Sequence, residues 1–232
     1  MNNFTQLFMP HKVTLLSVGF VTHDVKRYIV SKPDNYAFEP GQATEVFIDK
    51  PGLRDDKRPF TFTSRPNDRI LEFTIKSYHD HNGVTHALWD LKPGDSLYVD
   101  EAFGAIKYQG PGLFIAAGAG ITPFLSIVRD LWAKGELHKS HLLYSNKTKA
   151  DIISEHELTH YFTQQDNGIL MTLTRKSAIG YISGRITEAI LKEYCPHPSG
   201  RAYICGPKSF VSAMKEITIK IGFEEETLVF EK

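Results

Sequence analysis

Apolar positions fall into two rhythms along this chain. Over residues 12–20 they alternate around Val13, Leu15 and Val18, and over 25–31 around Tyr28 and Val30. A period of two marks a half-buried strand. Residues 43–49, 58–64, 70–77 and 96–100 add further β-rich runs. Between them stand turn signals: Lys32-Pro33-Asp34-Asn35, Glu39-Pro40-Gly41, Pro66-Asn67-Asp68 and Lys92-Pro93-Gly94-Asp95. Short strands at this spacing predict an antiparallel barrel or sandwich, with residues 84–91 a short helix interrupting it.

From about Gly110 the rhythm changes. Apolar runs at 113–117, 141–144, 169–174, 202–205 and 227–230 read as strands. Helical periodicity over 123–134, 154–162, 186–194 and 208–221 separates them. Alternation of this kind predicts a parallel sheet with right-handed crossovers. The expected organisation is an antiparallel β-barrel over 1–109 and an α/β domain over 110–232, joined at Gly110-Pro111-Gly112.

The first strand of the second half runs into Gly118-Ala119-Gly120-Ile121-Thr122-Pro123. Thr122 is expected as an N-cap and Pro123 as the first helical residue. A strand, a glycine turn and a helix N-terminus in sequence offer free backbone N–H groups to a phosphate. The spacing is Gly-x-Gly-x-x-Pro rather than the Gly-x-Gly-x-x-Gly of the common dinucleotide fingerprint. Cys205-Gly206-Pro207 falls at another expected strand end. In parallel sheets both ends should face one crevice.

Composition narrows the class. Hydrophobic residues make up 41% and charged residues 23%, as in a soluble globular protein. Lys plus Arg equals Asp plus Glu, 27 each, so no net charge points to nucleic acid or an acidic membrane. No apolar run approaches the roughly 20 residues of a membrane helix. Met1 to Pro10 lacks a secretory pattern. The two cysteines, Cys195 and Cys205, do not form a disulfide framework, so a reducing, cytoplasmic setting is expected.

In the first half, Arg58-Pro59-Phe60-Thr61-Phe62-Thr63-Ser64 packs a guanidinium, two rings and three hydroxyls into one expected strand. A period of two puts Arg58, Phe60 and Phe62 on one face, with Pro59, Thr61 and Thr63 on the other. Such a set suits a phosphate and a planar heterocycle. On composition alone, the ordinary reading is a half-exposed strand whose phenylalanines fill a core. Gly83 before the short helix is a second candidate anion site, or else a hairpin loop closed by a solvated helical turn.

Four motifs then stand in order: Arg58-Pro59-Phe60-Thr61, Gly83-Val84-Thr85, Gly118-Ala119-Gly120-Ile121-Thr122-Pro123 and Cys205-Gly206-Pro207. Together they resemble the ferredoxin–NADP⁺ reductase superfamily, from about Lys12 to Glu231. The resemblance implies a flavin-binding barrel paired with an NAD(P)H-binding α/β domain. It implies that Arg58 and Pro59 meet the flavin phosphate region, that Phe60 stacks on the isoalloxazine ring and that Thr61 lies near its N5. Phe60 departs from the usual tyrosine, which removes one hydroxyl contact. Ile75, Lys76 and Tyr78 would run beside the flavin tail, with Tyr78 stacking on adenine if the cofactor is FAD. Gly83, Val84 and Thr85 would complete its pyrophosphate cradle. Gly118, Gly120 and Thr122 would meet the nicotinamide nucleotide, and Thr122 the flavin as well. Cys205, Gly206, Pro207 and Phe210 would form the nicotinamide pocket. Many relatives end in Glu-x-aromatic; here Glu231 matches the acid, and the capping ring has no counterpart unless Phe230 or another aromatic substitutes.

Cys205 is also readable as a small buried strand-end residue. No neighbour in sequence lowers its pKa, so no thiolate nucleophile is expected. His156-Glu157-Leu158-Thr159-His160 fits the His-Glu-x-x-His zinc pattern, but a catalytic zinc needs a third protein ligand, and the motif falls on a covering helix. His79-Asp80-His81 is read as a solvated loop, and no metal site is expected. Arg185 is divided between a phosphate contact and a helix opening. Ser145 and Lys147 after the second strand, and Arg175 after the third, lean towards NADPH, with NADH the alternative.

The expected function is an FAD-dependent NAD(P)H oxidoreductase passing hydride to flavin N5. Electrons would go on to a separate small acidic carrier such as flavodoxin or ferredoxin, since no iron–sulfur cysteine cluster is present. Arg54, Lys57 and Arg65 would guide that docking. The alternatives are a flavin reductase using free FMN or FAD as substrate, and a non-catalytic flavin-binding electron-transfer subunit of a larger complex.

Overall fold

The computed structural model describes residues 9–78, 83–104, 106–164, 166–195 and 198–231. Its first half holds β1 (His11–Thr22), β2 (Val25–Ser31), β3 (Ala43–Ile48), β4 (Arg58–Thr61), β5 (Ile70–Lys76), α1 (Val84–Trp89) and β6 (Ser96–Val99). These strands pair antiparallel in the order β4-β3-β6-β1-β2-β5. The expected strand over 58–64 stops at Thr61, for a reason that lies in closure. There the chain leaves β3, Phe62 bridges to Phe73, and Thr63 N donates to Glu72 O at 2.8 Å, which joins the ends of the sheet into a barrel. Simple alternation therefore fails past Thr61: Phe62 and Thr63 are both fully buried, while Phe60 is half-buried and Arg58 exposed. Phe62 packs against Phe38, with ring centroids 4.2 Å apart, in a core that includes Val13, Leu15, Tyr28 and Phe73.

The second half holds β7 (Gly112–Ala117), α2 (Thr122–Lys134), β8 (His141–Asn146), α3 (Glu155–Phe162), β9 (Gly168–Leu173), β10 (Ile182–Ser183), α4 (Glu188–Tyr194), β11 (Arg201–Cys205), α5 (Lys208–Ile221) and β12 (Leu228–Phe230). All pairings are parallel, in the order β10-β9-β8-β7-β11-β12. β10 was not anticipated; two residues carry no period to read. Helices cover both faces of this sheet. Phe114 and Ala116 enter a cluster with Phe124, Tyr144 and Tyr203, whereas Leu113 and Ile115 face Met214 and Ile204. Val25 and Ile106, from the first half, complete the former cluster and so seat the barrel against it. Among the described residues no helix is long and apolar enough to cross a membrane.

Candidate functional site

The strand order reverses between β7 and β11, because the chain builds outward through β8, β9 and β10 and then returns to the other side of β7. Crevices open at the carboxyl ends of strands at such a switch point. Ala116 pairs with Cys205 there, so the turn after β7 and Gly206 after β11 lie side by side.

Gly118 has φ +52°, a left-handed conformation that glycine adopts without strain, and it starts a single 3₁₀ turn over Gly118–Ile121 that runs straight into α2. Thr122 is therefore not the N-cap. It is already helical, with φ −60° and ψ −44°, and its hydroxyl donates to Ala119 O at 3.0 Å. The helical run begins at Gly118, and its first N–H groups have no partner within the helix. At Gly120 a Cβ would stand 2.4 Å from the carbonyl oxygen of Cys205, so only glycine permits this close approach of two backbones. The buried Tyr144 hydroxyl locks the turn from behind, donating to Gly118 O at 3.0 Å and accepting from Ile153 N at 3.3 Å.

A cleft of about 750 Å³ follows, within the range of ligand sites. Its lining brings together many of the residues expected from sequence: Gly118, Gly120, Ser145, Lys147, Cys205, Gly206, Pro207 and Phe210, with Lys76 and Tyr78 reaching in from the barrel. Arg185 lines it too, and it does not open a helix, since α4 starts at Glu188 with Thr187 as its N-cap. Several others lie elsewhere. Thr122 is packed behind the turn, and Arg175 is exposed past β9, outside the cleft. The Ile75 and Val84 side chains belong to the barrel core, so only their backbones remain for a ligand. Arg58, Pro59, Phe60 and Thr61 line the neighbouring barrel strand rather than this cleft, and Gly83 and Thr85 flank the start of α1.

Cys205 is half-buried, and the desolvation of its thiol, with the Glu231 carboxylate nearby, pushes it up to about 12. It stays a neutral thiol at physiological pH, as expected. Glu231 follows Phe230, the register partner of Ile204, which sets it beside Cys205. Phe230 is turned into the α5 face with the Lys215 ammonium 4.0 Å from its ring centroid, so it is not a ring over the crevice.

Sequence reading missed Asn146, the last residue of β8. It is 5% exposed and lines the cleft, and neither polar side-chain atom has a hydrogen-bond partner of good geometry among the described residues. A buried amide left so is costly unless a ligand or water completes it. Its only signal in sequence was a polar residue ending an apolar run. The His-Glu-x-x-His pattern has a different use: Glu157 receives Arg129 Nε at 2.6 Å and Nη2 at 2.8 Å, and His160 packs edge-on to Trp132. His79-Asp80-His81 lies outside the described residues. Each cation expected to guide docking is already paired: Arg54 with Asp49 at 2.6 Å, Lys57 with Asp100 at 2.6 Å and Arg65 with Asp68 at 2.8 Å.

A family profile described as Oxidoreductase NAD-binding domain matches residues 114–216. The chain is 31% identical to NADH-cytochrome b5 reductase 1 of Eremothecium gossypii, over 94% of this chain and 82% of that protein. It is 25% identical to the ferredoxin–NAD(P)(+) reductase component of the naphthalene 1,2-dioxygenase system of Pseudomonas putida, over 93% of this chain. It spans just under two thirds, 66%, of that second relative. In fold it is similar to a ferredoxin NADP⁺ reductase of Neisseria gonorrhoeae solved with bound FAD and NADP, with TM-score 0.83, 19% identity and coverage of 96% of this chain and 98% of that one.

Proposed function

This chain belongs to the ferredoxin–NADP⁺ reductase superfamily, and from that premise we propose that it is an FAD-dependent NAD(P)H oxidoreductase delivering electrons to a separate acceptor. One observation carries the reading. The glycine turn and Cys205-Gly206-Pro207 share a crevice at the switch point, and barrel residues Lys76 and Tyr78 wall its other side. We divide the two halves at 109/110.

The groups present fit both cofactors. Asn146 offers a donor and an acceptor that ribose hydroxyls can engage. The open N–H groups at Gly118–Gly120 suit a pyrophosphate. On the barrel, Arg58 would hold the flavin phosphate, with Pro59 beside it, Phe60 stacked on the ring and Thr61 near N5. Arg58 now pairs with Asp56 at 2.5 Å, but the Arg58 side chain is 52% exposed and the Asp56 side chain 31%. Such a pair contributes only about 0–1 kcal/mol. A charge-assisted bond to phosphate contributes about 1.5–3 kcal/mol and so displaces it. Lys76, Tyr78 and the Ile75 backbone would follow the flavin tail, and Gly83, Val84 and Thr85 its pyrophosphate.

Bound FAD supplies hydride acceptance at N5 and the release of electrons singly. The chain supplies orientation. Cys205, neutral and compact, walls the nicotinamide side with Gly206, Pro207 and Phe210, while Gly120 lets β7 and β11 close to contact. Thr122 holds the turn rather than the ligand, through its bond to Ala119. Glu231 borders Cys205 at the outer edge.

NADPH is the favoured donor. Lys147 and Arg185 line the cleft without an ion-pair partner among the described residues, and Ser145 adds a hydroxyl. Asp151, which lines the cleft too, turns its Oδ2 to Thr148, whose hydroxyl donates at 2.6 Å and backbone N–H at 2.9 Å.

The acceptor would be a small carrier such as flavodoxin or ferredoxin. Phe230, turned into the α5 face and not over the crevice, favours a second reading, a flavin reductase that takes free FMN or FAD as substrate. Gel filtration of the purified chain separates the two: stoichiometric flavin eluting with the protein supports the first, and full loss with retained NADPH-dependent reduction of added flavin supports the second.

A further inference from the structure

Helix α2 carries the glycine turn at its N-terminus, and its middle is tied to the barrel. Ser126 Oγ donates to Ser64 O at 2.7 Å. Arg129 Nη1 donates to Thr63 O at 2.5 Å and to Glu72 Oε1 at 2.6 Å, while its Nε and Nη2 fork onto Glu157 of α3. Thr63 and Ser64 continue directly from the strand that carries Arg58, Phe60 and Thr61. Thr63 Oγ1 donates to the same Glu72 oxygen at 2.8 Å, and Tyr161 OH donates to Glu157 Oε1 at 3.1 Å. Thr63, Ser64 and Ser126 are buried, and the Arg129 side chain is only 16% exposed. One rigid helix thus bears the nicotinamide turn and holds the flavin strand, across the boundary between the two halves.

We propose that Arg129 is a positioning residue whose fork between Glu72 and Glu157 fixes the separation of the flavin strand from the nicotinamide turn. The proposal rests on the function read above. It goes beyond it by assigning the interdomain geometry to one side chain outside the cleft. Hydride transfer needs reacting atoms about 3–3.5 Å apart, and a misplacement of about 1 Å can cost about 100-fold in rate. A lysine at this position would keep one cation between the carboxylates but lose the planar fork and the reach to Thr63 O.

The test uses the full chain with two variants. Arg129→Lys keeps the charge. Arg129→Leu with Glu72→Gln and Glu157→Gln removes all three charges together, leaving no carboxylate unpaired. The first measurement needs no cofactor: residual dipolar couplings of amides in β1, β2 and β5 against those in β7, β8 and β9. The two sheets should share one alignment tensor in the parent and separate in both variants. In the flavin-loaded protein, single-turnover reduction should slow about 10–100-fold, with flavin occupancy and nucleotide Kd within about twofold of the parent. A shared tensor in both folded variants overturns the proposal, as does an unchanged reduction rate. A parent that reduces no flavin overturns the functional reading instead, and the couplings still decide whether Arg129 sets the orientation.

Discussion

The barrel's long strand β1 buries one face over its first half, and the central α/β strand β7 buries both. Along β1, Val13 and Leu15 are inside while Thr14 and Leu16 face out. Along β7, five residues from Gly112 to Ala116 are buried in succession. The two halves therefore expose different things to a ligand. A sheet covered on both faces is open only at its strand ends, and there it offers backbone: the Gly118 turn, Gly120 against Cys205, and Gly206. The barrel offers side-chain heads on its outer surface, such as Arg58, Lys76 and Tyr78. The α/β site should fail when a methyl is added, and the barrel site when a head group is removed.

Gly120→Ala gives the largest expected effect. Its Cβ would meet the Cys205 carbonyl oxygen at 2.4 Å and the Gly206 Cα at 2.7 Å, both backbone, so the crevice itself must open. Nucleotide affinity should fall about 100-fold, near 3 kcal/mol, with flavin occupancy retained; titration calorimetry reads the first and absorbance the second. Arg58→Ala is its counterpart. Flavin Kd should rise about 10–100-fold, the worth of a charge-assisted bond, with nucleotide affinity unchanged. If both variants weaken both ligands equally, the division of labour between the halves is wrong.

The same contrast explains what was legible in sequence. Period-two alternation revealed the barrel strands, and apolar runs with helices between them revealed the parallel sheet. Closure was hidden, since nothing in Phe62-Thr63-Ser64 announces a change of partner from β3 to β5. Glycine motifs marked the crevice because backbone approach leaves a residue-type trace. Asn146, Tyr144 and Arg129 left none. Each is a polar residue in or beside an apolar stretch; Tyr144 and Arg129 take their meaning from partners far along the chain, Gly118 for the one and Glu72 and Thr63 for the other, and Asn146 from the lack of any side-chain partner of good geometry among the described residues. Thr122 misled for the converse reason. Its local sequence fits a cap, but the left-handed Gly118 starts the helical run four residues earlier.

Smaller effects sharpen the picture. Lys147→Ala and Arg185→Ala should each lower the kcat/KM ratio of NADPH to NADH by about 10-fold, or 1.4 kcal/mol, in steady-state assays with both donors; an unchanged ratio assigns the two cations no part in donor choice. Cys205→Ala should slow flavin reduction several-fold with little change in nucleotide Kd. Because its thiol is pushed up to about 12, the reduction rate should show no inflection from Cys205 between neutral pH and 10.

Acid should loosen the interdomain clamp. Burial alone would raise the Glu157 carboxyl, but the hydrogen bonds and charge of Arg129 hold it below its ordinary 4.5. A carboxylate lowered on folding contributes stability that is present above its unfolded value and lost as pH falls through its folded one. The midpoint of thermal unfolding should therefore drop as pH falls below 4.5, and less so in the triple Arg129→Leu, Glu72→Gln, Glu157→Gln variant.

The central claim is that the two halves meet to pass hydride between a nicotinamide on one and a flavin on the other. Anaerobic rapid mixing of the flavin-loaded chain with NADPH measures this directly. The account predicts that flavin absorbance bleaches at a rate that saturates with NADPH and slows with deuterium at the transferring position. A chain that binds neither cofactor, or that holds flavin which NADPH and NADH both leave oxidised, would contradict it.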